Sequence, residues 1–351
     1  MSDPMSTVEG VQWLRTDGRE GDIVLSSRVR LARNIAGLPF LTRATIDDRR
    51  HVMRLVRKHS RAAEIGEAME WFDLESASRS EREILVERHL ISRQHAKGDE
   101  PRALTVSMPE EQLAVMVNEE DHLRIQLIRS GLALTDAWDQ INRFDDQLES
   151  RVGYAFHPRM GYLTACPTNV GTGVRVSVML HLPGLKLTGE IDKARRAAKA
   201  MSLAVRGFYG EGSEAAGDLY QISNQTTLGK SEEQILEEFE RSIIPDVIRF
   251  ERQARETLLD RRRPMLEDRV QRALGALLYA RLLNADEAMQ LLSQVRLGVL
   301  LGVIEGVDLR TIAELQLLTQ PAHLQRVVGE TLDQAQRRRA RADFVRRRLG
   351  G

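Results

Sequence analysis

A single cysteine in 351 residues leaves no internal disulfide framework and no set of thiolates for a structural zinc. Acidic and basic side chains balance at 51 each, so no global field favours nucleic acid or an anionic membrane, and any basic site must be local. No apolar run approaches the ~20 residues that a membrane-spanning helix needs. The opening Met1-Ser-Asp-Pro-Met-Ser-Thr-Val-Glu9 lacks the basic start and apolar stretch of a signal peptide, which predicts a cytoplasmic protein. Complete glycine-rich phosphate loops are missing too. Gly171-Thr-Gly-Val-Arg-Val176 begins like a dinucleotide fingerprint but has no third glycine and leads into a strand. Thr227-Leu-Gly-Lys-Ser231 has Asn224 where a P-loop has its first glycine.

What is present concentrates in one stretch, Cys166-Pro-Thr-Asn-Val-Gly-Thr-Gly-Val-Arg-Val-Ser-Val-Met-Leu-His-Leu182. Gly171 and Gly173 permit backbone conformations closed to other residues, so a ligand can come close to the main chain. Val176, Val178 and Leu180 then alternate with Arg175, Ser177, Met179 and His181, the period of a half-buried strand. An arginine rising from a strand beside such a turn suits a phosphate, because its planar fork matches phosphate oxygens. Other stretches have the same character. The segment 22–34 reads as a strand with Arg28 and Arg30 on one side, or as a solvated edge of alternating charge. Asn118-Glu-Glu-Asp-His122 crowds carboxylates before a strand carrying Arg124, which requires a cation among them, or else is an acidic surface turn. Leu203-Ala-Val-Arg-Gly207 leads into the glycine-rich 208–217, bringing Arg206, Glu211 and Ser213 to a strand end.

The intervening pattern supplies a frame. Thr45-Ile-Asp-Asp48 is a capping box for a helix that buries Val52, Leu55 and Val56. A short helix is predicted over 80–87, followed by His89, a position where histidine usually serves the fold. Strands are predicted at 103–107, 112–117, 161–164 and 218–223, and helices at 135–151 and 190–201. From about Ser231 the chain reads as helical, with breaks near Pro264, Asn284, Gly306 and Pro321, so an all-helical domain is expected from about residue 255.

Ser26-Ser-Arg-Val-Arg30, Asn118-Glu-Glu-Asp-His122, Cys166-Pro-Thr-Asn169 with Gly171-Thr-Gly-Val-Arg175, and Arg206-Gly-Phe-Tyr-Gly-Glu-Gly-Ser-Glu214 occur in that order. Together they closely resemble the phosphagen (guanidino) kinase family, and most closely its bacterial protein-arginine kinase branch, through nearly the whole chain. The resemblance implies an α+β fold: a catalytic domain over 1–254 built on an antiparallel sheet flanked by helices, then a helical C-terminal domain over 255–351. It implies ATP and Mg²⁺ as co-substrates, with no metal-ligating side chain assigned. The nucleotide would be held by Ser26, Ser27, Arg28, Val29, Arg30, His89, Arg124, Arg175, Val176, Ser177, Val178, Met179, Arg206, Gly207, Phe208, Tyr209, Gly210 and Glu211, with the arginines on its phosphates. Glu120 and Glu211 would clasp the acceptor guanidinium, with Cys166 beside it.

Such residue types suit the reaction. Removing a proton from a guanidinium at pH 7 costs roughly 9 kcal/mol, so free deprotonation is a poor first step. Two carboxylates can instead orient the fork and take the proton as the P–N bond forms, while arginines and Mg²⁺ neutralise the transferring phosphoryl group. Small-molecule members of the family have a helical domain before the catalytic one. Here Ser26 follows almost directly on the start, which predicts an open site that accepts arginine on a protein. A kinase for a small guanidino acceptor and a non-catalytic phosphoarginine-binding adaptor are the alternatives. The resemblance further implies a homodimer, protein substrates with exposed arginines, and as partners a zinc-binding activator protein, a heat-shock repressor and a Clp-type unfoldase that degrades marked proteins in a stress response. In the C-terminal Arg-Asp-x-x-Arg-Ala pattern of this branch, an allosteric phosphoarginine site, Arg337, Arg338 and Arg341 fall on the matching positions. Arg338 replaces the aspartate, which keeps the pull on an anion but removes a handle for the guanidinium.

Overall fold

The computed structural model describes residues 8, 10–61, 68–207, 216–225 and 227–350. Its strands are β1 Val24–Arg33, β2 Ala68–Asp73, β3 Ala103–Met108, β4 Leu113–Val117, β5 Leu123–Ser130, β6 Phe156–His157, β7 Gly161–Tyr162, β8 Val174–His181, β9 Leu203–Arg206 and β10 Leu219–Asn224. The helices are α1 Ile46–Ser60, α2 Arg79–Glu87, α3 Arg93–Lys97, α4 Leu134–Val152, α5 Pro183–Thr188, α6 Ile191–Ala200, α7 Glu232–Glu238, α8 Ile244–Arg261, α9 Arg263–Tyr279, α10 Ala285–Leu300, α11 Leu309–Leu318, α12 Pro321–Val328 and α13 Gln334–Leu349. Eight strands form one sheet in the order β2-β3-β4-β5-β1-β8-β10-β9, and β6 pairs with β7 apart from it. β1 has a neighbour on each side, which overturns the solvated-edge alternative for 22–34. Two compact units divide the chain: Met1–Trp13, Ser26–Ser177 and Ser223–Arg241 form one, and Leu14–Leu25, Val178–Ile222 and Ser242–Gly351 the other.

In the first unit, strand parity decides what is buried. β1 runs antiparallel to β5 with Arg30 opposite Gln126 and Ala32 opposite Arg124, and residues directly opposite share a face. Val29, Leu31, Leu123, Ile125 and Leu127 therefore point to the other face, where all are fully buried. α1 and α4 pack there. α1 starts at the expected capping box, with Thr45 accepting from Asp48 N and the Asp48 carboxylate accepting from Thr45 N; α4 buries Ala137, Ile141, Phe144 and Leu148. On the opposite face Leu104, Val106, Ala114 and Met116 cluster with Leu85 of α2 and with Leu74, Leu90 and Ile91. That face turns polar towards β1 and β5, where Arg30, Gln126 and Arg124 lie. A fully buried pair, Arg88 Nη2 to Glu111 Oε1 at 2.6 Å, joins the end of α2 to the β3–β4 connection.

The second unit is anchored by buried charges with assigned partners. Glu251 of α8 accepts from Gly184 N and Leu185 N, each at 2.9 Å, and so caps the first turn of α5. Arg255 donates to it at 2.8 Å. Asp218, in the left-handed region at φ 56°, accepts from Gln290 Nε2 at 2.9 Å and Ser293 Oγ at 3.1 Å. The Ser293 proton is thereby committed, so His181 Nε2 donates to Ser293 Oγ across 2.9 Å. Burial, reinforced by Arg296 and Arg255, holds that imidazole neutral by pushing its pKa well below the usual range. The helices α9–α13 enclose Leu266, Val270, Leu292, Val295, Leu315 and Val345.

Candidate functional site

The acidic stretch forms the turn between β4 and β5, closed by Asn118 N donating to His122 O at 2.9 Å. Its three carboxylates have separate fates. Glu119, 2% exposed, accepts from Arg124 Nη1 at 2.6 Å and from Ser92 Oγ at 2.6 Å. Asp121 turns the other way, its Oδ1 accepting from Asn34 Nδ2 and Ala165 N, both at 2.6 Å. His122 accepts from Ile35 N through Nδ1 and donates to Pro39 O through Nε2, at 3.0 and 2.9 Å. Only Glu120 keeps an accessible carboxylate, 39% exposed and 3.5 Å from Arg124 Nη2. Burial raises its pKa, with Glu119 and Asp121 adding repulsion, while Arg124 and Arg175 pull it down. The cation required by the crowding is Arg124, and the plain surface-turn alternative does not hold for Glu119 and Asp121.

Beside this turn lies the polar face of β1 and β5. Ser26, Arg28 and Arg30 share it half-buried, whereas Ser27 and Val29 point into the opposite layer. The Ser27 hydroxyl is committed to Gly131 O at 2.8 Å and Ala133 N at 3.0 Å. Arg28 Nε donates to Ser177 Oγ at 3.4 Å. Gln126 holds the segment after α2 in place, its Nε2 donating to His89 O at 2.7 Å and Leu90 O at 3.3 Å. His89 follows at φ 61°, its ring edge-on to Trp13 with centroids 5.1 Å apart. Burial, then the nearby Arg28 and Arg93, lowers its pKa to about 3, so it stays neutral in ordinary buffers.

The loop 163–173 is set by β1 and α4. Arg33 has the opposite parity to Arg28 and Arg30 and is buried, with Nη2 2.8 Å from Asp145 Oδ2 and Nη1 2.9 Å from Thr172 O. Its guanidinium stacks 3.6 Å over the Tyr162 ring. Cys166 opens the short turn Pro167–Asn169 and lies half-buried, with Sγ 3.1 Å from Thr168 Oγ1. Gly173 sits at φ 66°, and a Cβ there would meet Arg33 Nη1 at 2.6 Å and Ala32 O at 2.8 Å. Gly173→Ala is accordingly expected to cost about 2 kcal/mol in chemical denaturation. Arg175 and Ser177 follow on β8, Arg175 half-buried and Ser177 and Val176 buried.

In the second unit Val178 is buried, Met179 and Arg206 are half-buried, and Gly207 closes β9. Phe208, Tyr209, Gly210, Glu211 and Ser213 lie outside the described residues. Arg337, Arg338 and Arg341 on α13 differ in their surroundings. Arg341 is 3% exposed and donates to Thr319 O at 2.7 Å and Leu283 O at 2.9 Å, tying α11 and the entry to α10 together. Arg337 donates to Leu332 O at 2.6 Å, and Arg338 is exposed. Glu119, Asp121, Gln126 and Arg33 are site-building residues without an assigned role in the sequence reading. The one available signal was the parity that separates Arg33 from Arg28 and Arg30.

Residues 51–254 match the family described as ATP:guanido phosphotransferase, C-terminal catalytic domain. Residues 263–351 match the one described as Protein-arginine kinase McsB C-terminal domain. The protein-arginine kinase of Pelotomaculum thermopropionicum is 47% identical over 95% of this chain and 94% of its own. That of Symbiobacterium thermophilum is 47% identical over 96% of each. Among solved structures, lombricine kinase is 26% identical, covering 71% of this chain and 70% of its own at a TM-score of 0.58.

Proposed function

The chain belongs to the ATP:guanido phosphotransferase family, and we propose that Glu120, Arg124, Arg28 and Arg175 form the working face on which it moves a phosphoryl group from ATP to arginine. It is a kinase that phosphorylates arginine side chains in proteins. The observation that carries the site assignment is the division of labour in the 118–122 turn, where Glu120 alone keeps an accessible carboxylate beside Arg124.

Arg28, Arg30, Arg124 and Arg175 supply charged donors to the nucleotide phosphates, preorganised because the sheet fixes them before substrate arrives. Arg206 and Glu211 keep the roles that the family resemblance implies for them, a further phosphate donor and a second carboxylate. Glu120 pairs with the acceptor guanidinium and aims one nitrogen at the γ-phosphorus. As that nitrogen forms the P–N bond, the bond to the β–γ bridging oxygen breaks and ADP leaves. The nitrogen's proton passes to Glu120. Cys166 adds electron density beside the acceptor. Mg²⁺ fits as the counter-ion of the phosphates, since it takes most of its shell from phosphate oxygens and water. Replacing Arg175 by lysine keeps the charge but loses the fork, so the KM for ATP is expected to rise about tenfold in initial-rate assays.

Residues 1–254 are proposed as the catalytic domain and 255–351 as the domain for dimerisation and for recognition of substrates or partners. Among the described residues no helix is long and apolar enough to cross a membrane; a cytoplasmic setting is part of the proposed reading. There the phosphoarginine would mark proteins for a Clp-type unfoldase during stress, with a zinc-binding activator and a heat-shock repressor as partners. Phosphoarginine sensing on α13 is the least supported of these roles, because Arg341 already spends donors on main-chain carbonyls. ADP release with a protein acceptor but not with free arginine would support the protein-directed reading; rapid turnover of free arginine would replace it with a small-acceptor kinase.

A further inference from the structure

Single exposed apolar side chains are ordinary on a protein surface, but several tied to one turn make a patch that a partner would bury. Phe156, Met160 and Leu228 are 56%, 47% and 62% exposed, and all three attach to the turn at Gly171. Phe156 and Met160 sit on the β6–β7 hairpin, Phe156 opposite Tyr162. Tyr162 exchanges backbone hydrogen bonds with Gly171, at 2.8 and 3.4 Å. A Cβ on Gly171 would lie 3.1 Å from the Cα of Leu228, and the neighbouring Thr227 Oγ1 donates to Val170 O at 2.7 Å. The hairpin is braced, with Arg33 stacked on the Tyr162 ring and the Tyr162 hydroxyl donating to Glu149 Oε2 at 3.0 Å. Exposure here is therefore held in place by the fold.

We propose that this patch receives an apolar side chain flanking the acceptor arginine, so that the kinase prefers arginines with apolar neighbours in the polypeptide. The inference rests on the reading of the 163–173 loop as part of the acceptor site. That loop runs without interruption from Cys166 to Gly171. Residues next to an arginine placed beside Cys166 are thus the part of a polypeptide substrate that meets the patch. Polar residues there would leave the three side chains wet, whereas a leucine or phenylalanine would remove them from water, worth about tenfold in kcat/KM.

The test uses two peptides of equal length with one arginine each, flanked by leucines in one and serines in the other. The wild-type chain is expected to favour the leucine peptide about tenfold in kcat/KM. In the Phe156→Ser, Met160→Ser, Leu228→Ser triple variant that ratio is expected to fall to about one, with the serine peptide and the KM for ATP unchanged. A wild-type ratio near one would overturn the proposal, as would a variant that slows both peptides equally. A wild-type dimer that the triple variant breaks in sedimentation would give the patch to a second copy of the chain instead. Phosphoarginine on no acceptor at all would sink the kinase reading, and the preference with it.

Discussion

Glu120→Gln is expected to lower the turnover of arginine phosphorylation about a thousandfold, within the range that a positioned proton acceptor supplies. The amide keeps the size and can still accept a hydrogen bond from Arg124, so folding and the KM for ATP should change little. It cannot take a proton from the attacking nitrogen. The same carboxylate dictates the acid limb of the pH profile. Glu120 must be ionised to act, and burial has raised its pKa above the ordinary glutamate range. Activity should therefore fall as pH drops through that raised value, earlier than an exposed glutamate would require. Initial rates of ADP release across this range should show the limb in the wild type and lose it in the residual activity of Glu120→Gln. His89 is pushed down to about 3, so it contributes no step near neutral pH.

Asp145→Ala should produce the largest loss of stability. Arg33 and Asp145 are each 3% exposed, and removing the carboxylate leaves a guanidinium buried without its charge partner, at a cost of about 3–5 kcal/mol. An exposed helical pair gives the contrast. Arg272 and Asp268 are 78% and 61% exposed, and Asp268→Ala should change stability by no more than about 0.5 kcal/mol. Replacing both buried partners, Arg33→Met with Asp145→Leu, should recover much of the loss, because no bare charge then remains. Chemical denaturation measures all three. The pair also holds Thr172 and Tyr162, so Asp145→Ala should lose activity at temperatures where it remains folded.

Much of the frame was legible because it rests on local rules. The Thr45–Asp48 capping box, the alternation of Arg28 and Arg30 with Val29 and Leu31, and the helix starts at Arg263, Ala285, Leu309 and Pro321 follow from caps and periodicity. The antiparallel sheet came with the family resemblance and is present. What could not be read depended on distant partners. Glu119, Glu120 and Asp121 look equivalent along the chain; Ser92, Asn34 and Ala165 make them different. Arg341 looks like its basic neighbours until the carbonyls of Thr319 and Leu283 claim it. Of the β6–β7 hairpin only the strand near Gly161 was legible; its partner Phe156–His157 escaped because a strand of two residues is too short to show a period.

The most direct test is mass spectrometry, under non-acidic conditions that preserve the P–N bond, of an arginine-bearing protein incubated with Mg·ATP and either the wild-type chain or Glu120→Gln. Phosphate on arginine side chains with the wild type, and almost none with Glu120→Gln, is the predicted result. Equal labelling by the two would contradict the account, since the accessible carboxylate of the 118–122 turn would then have no part in the transfer.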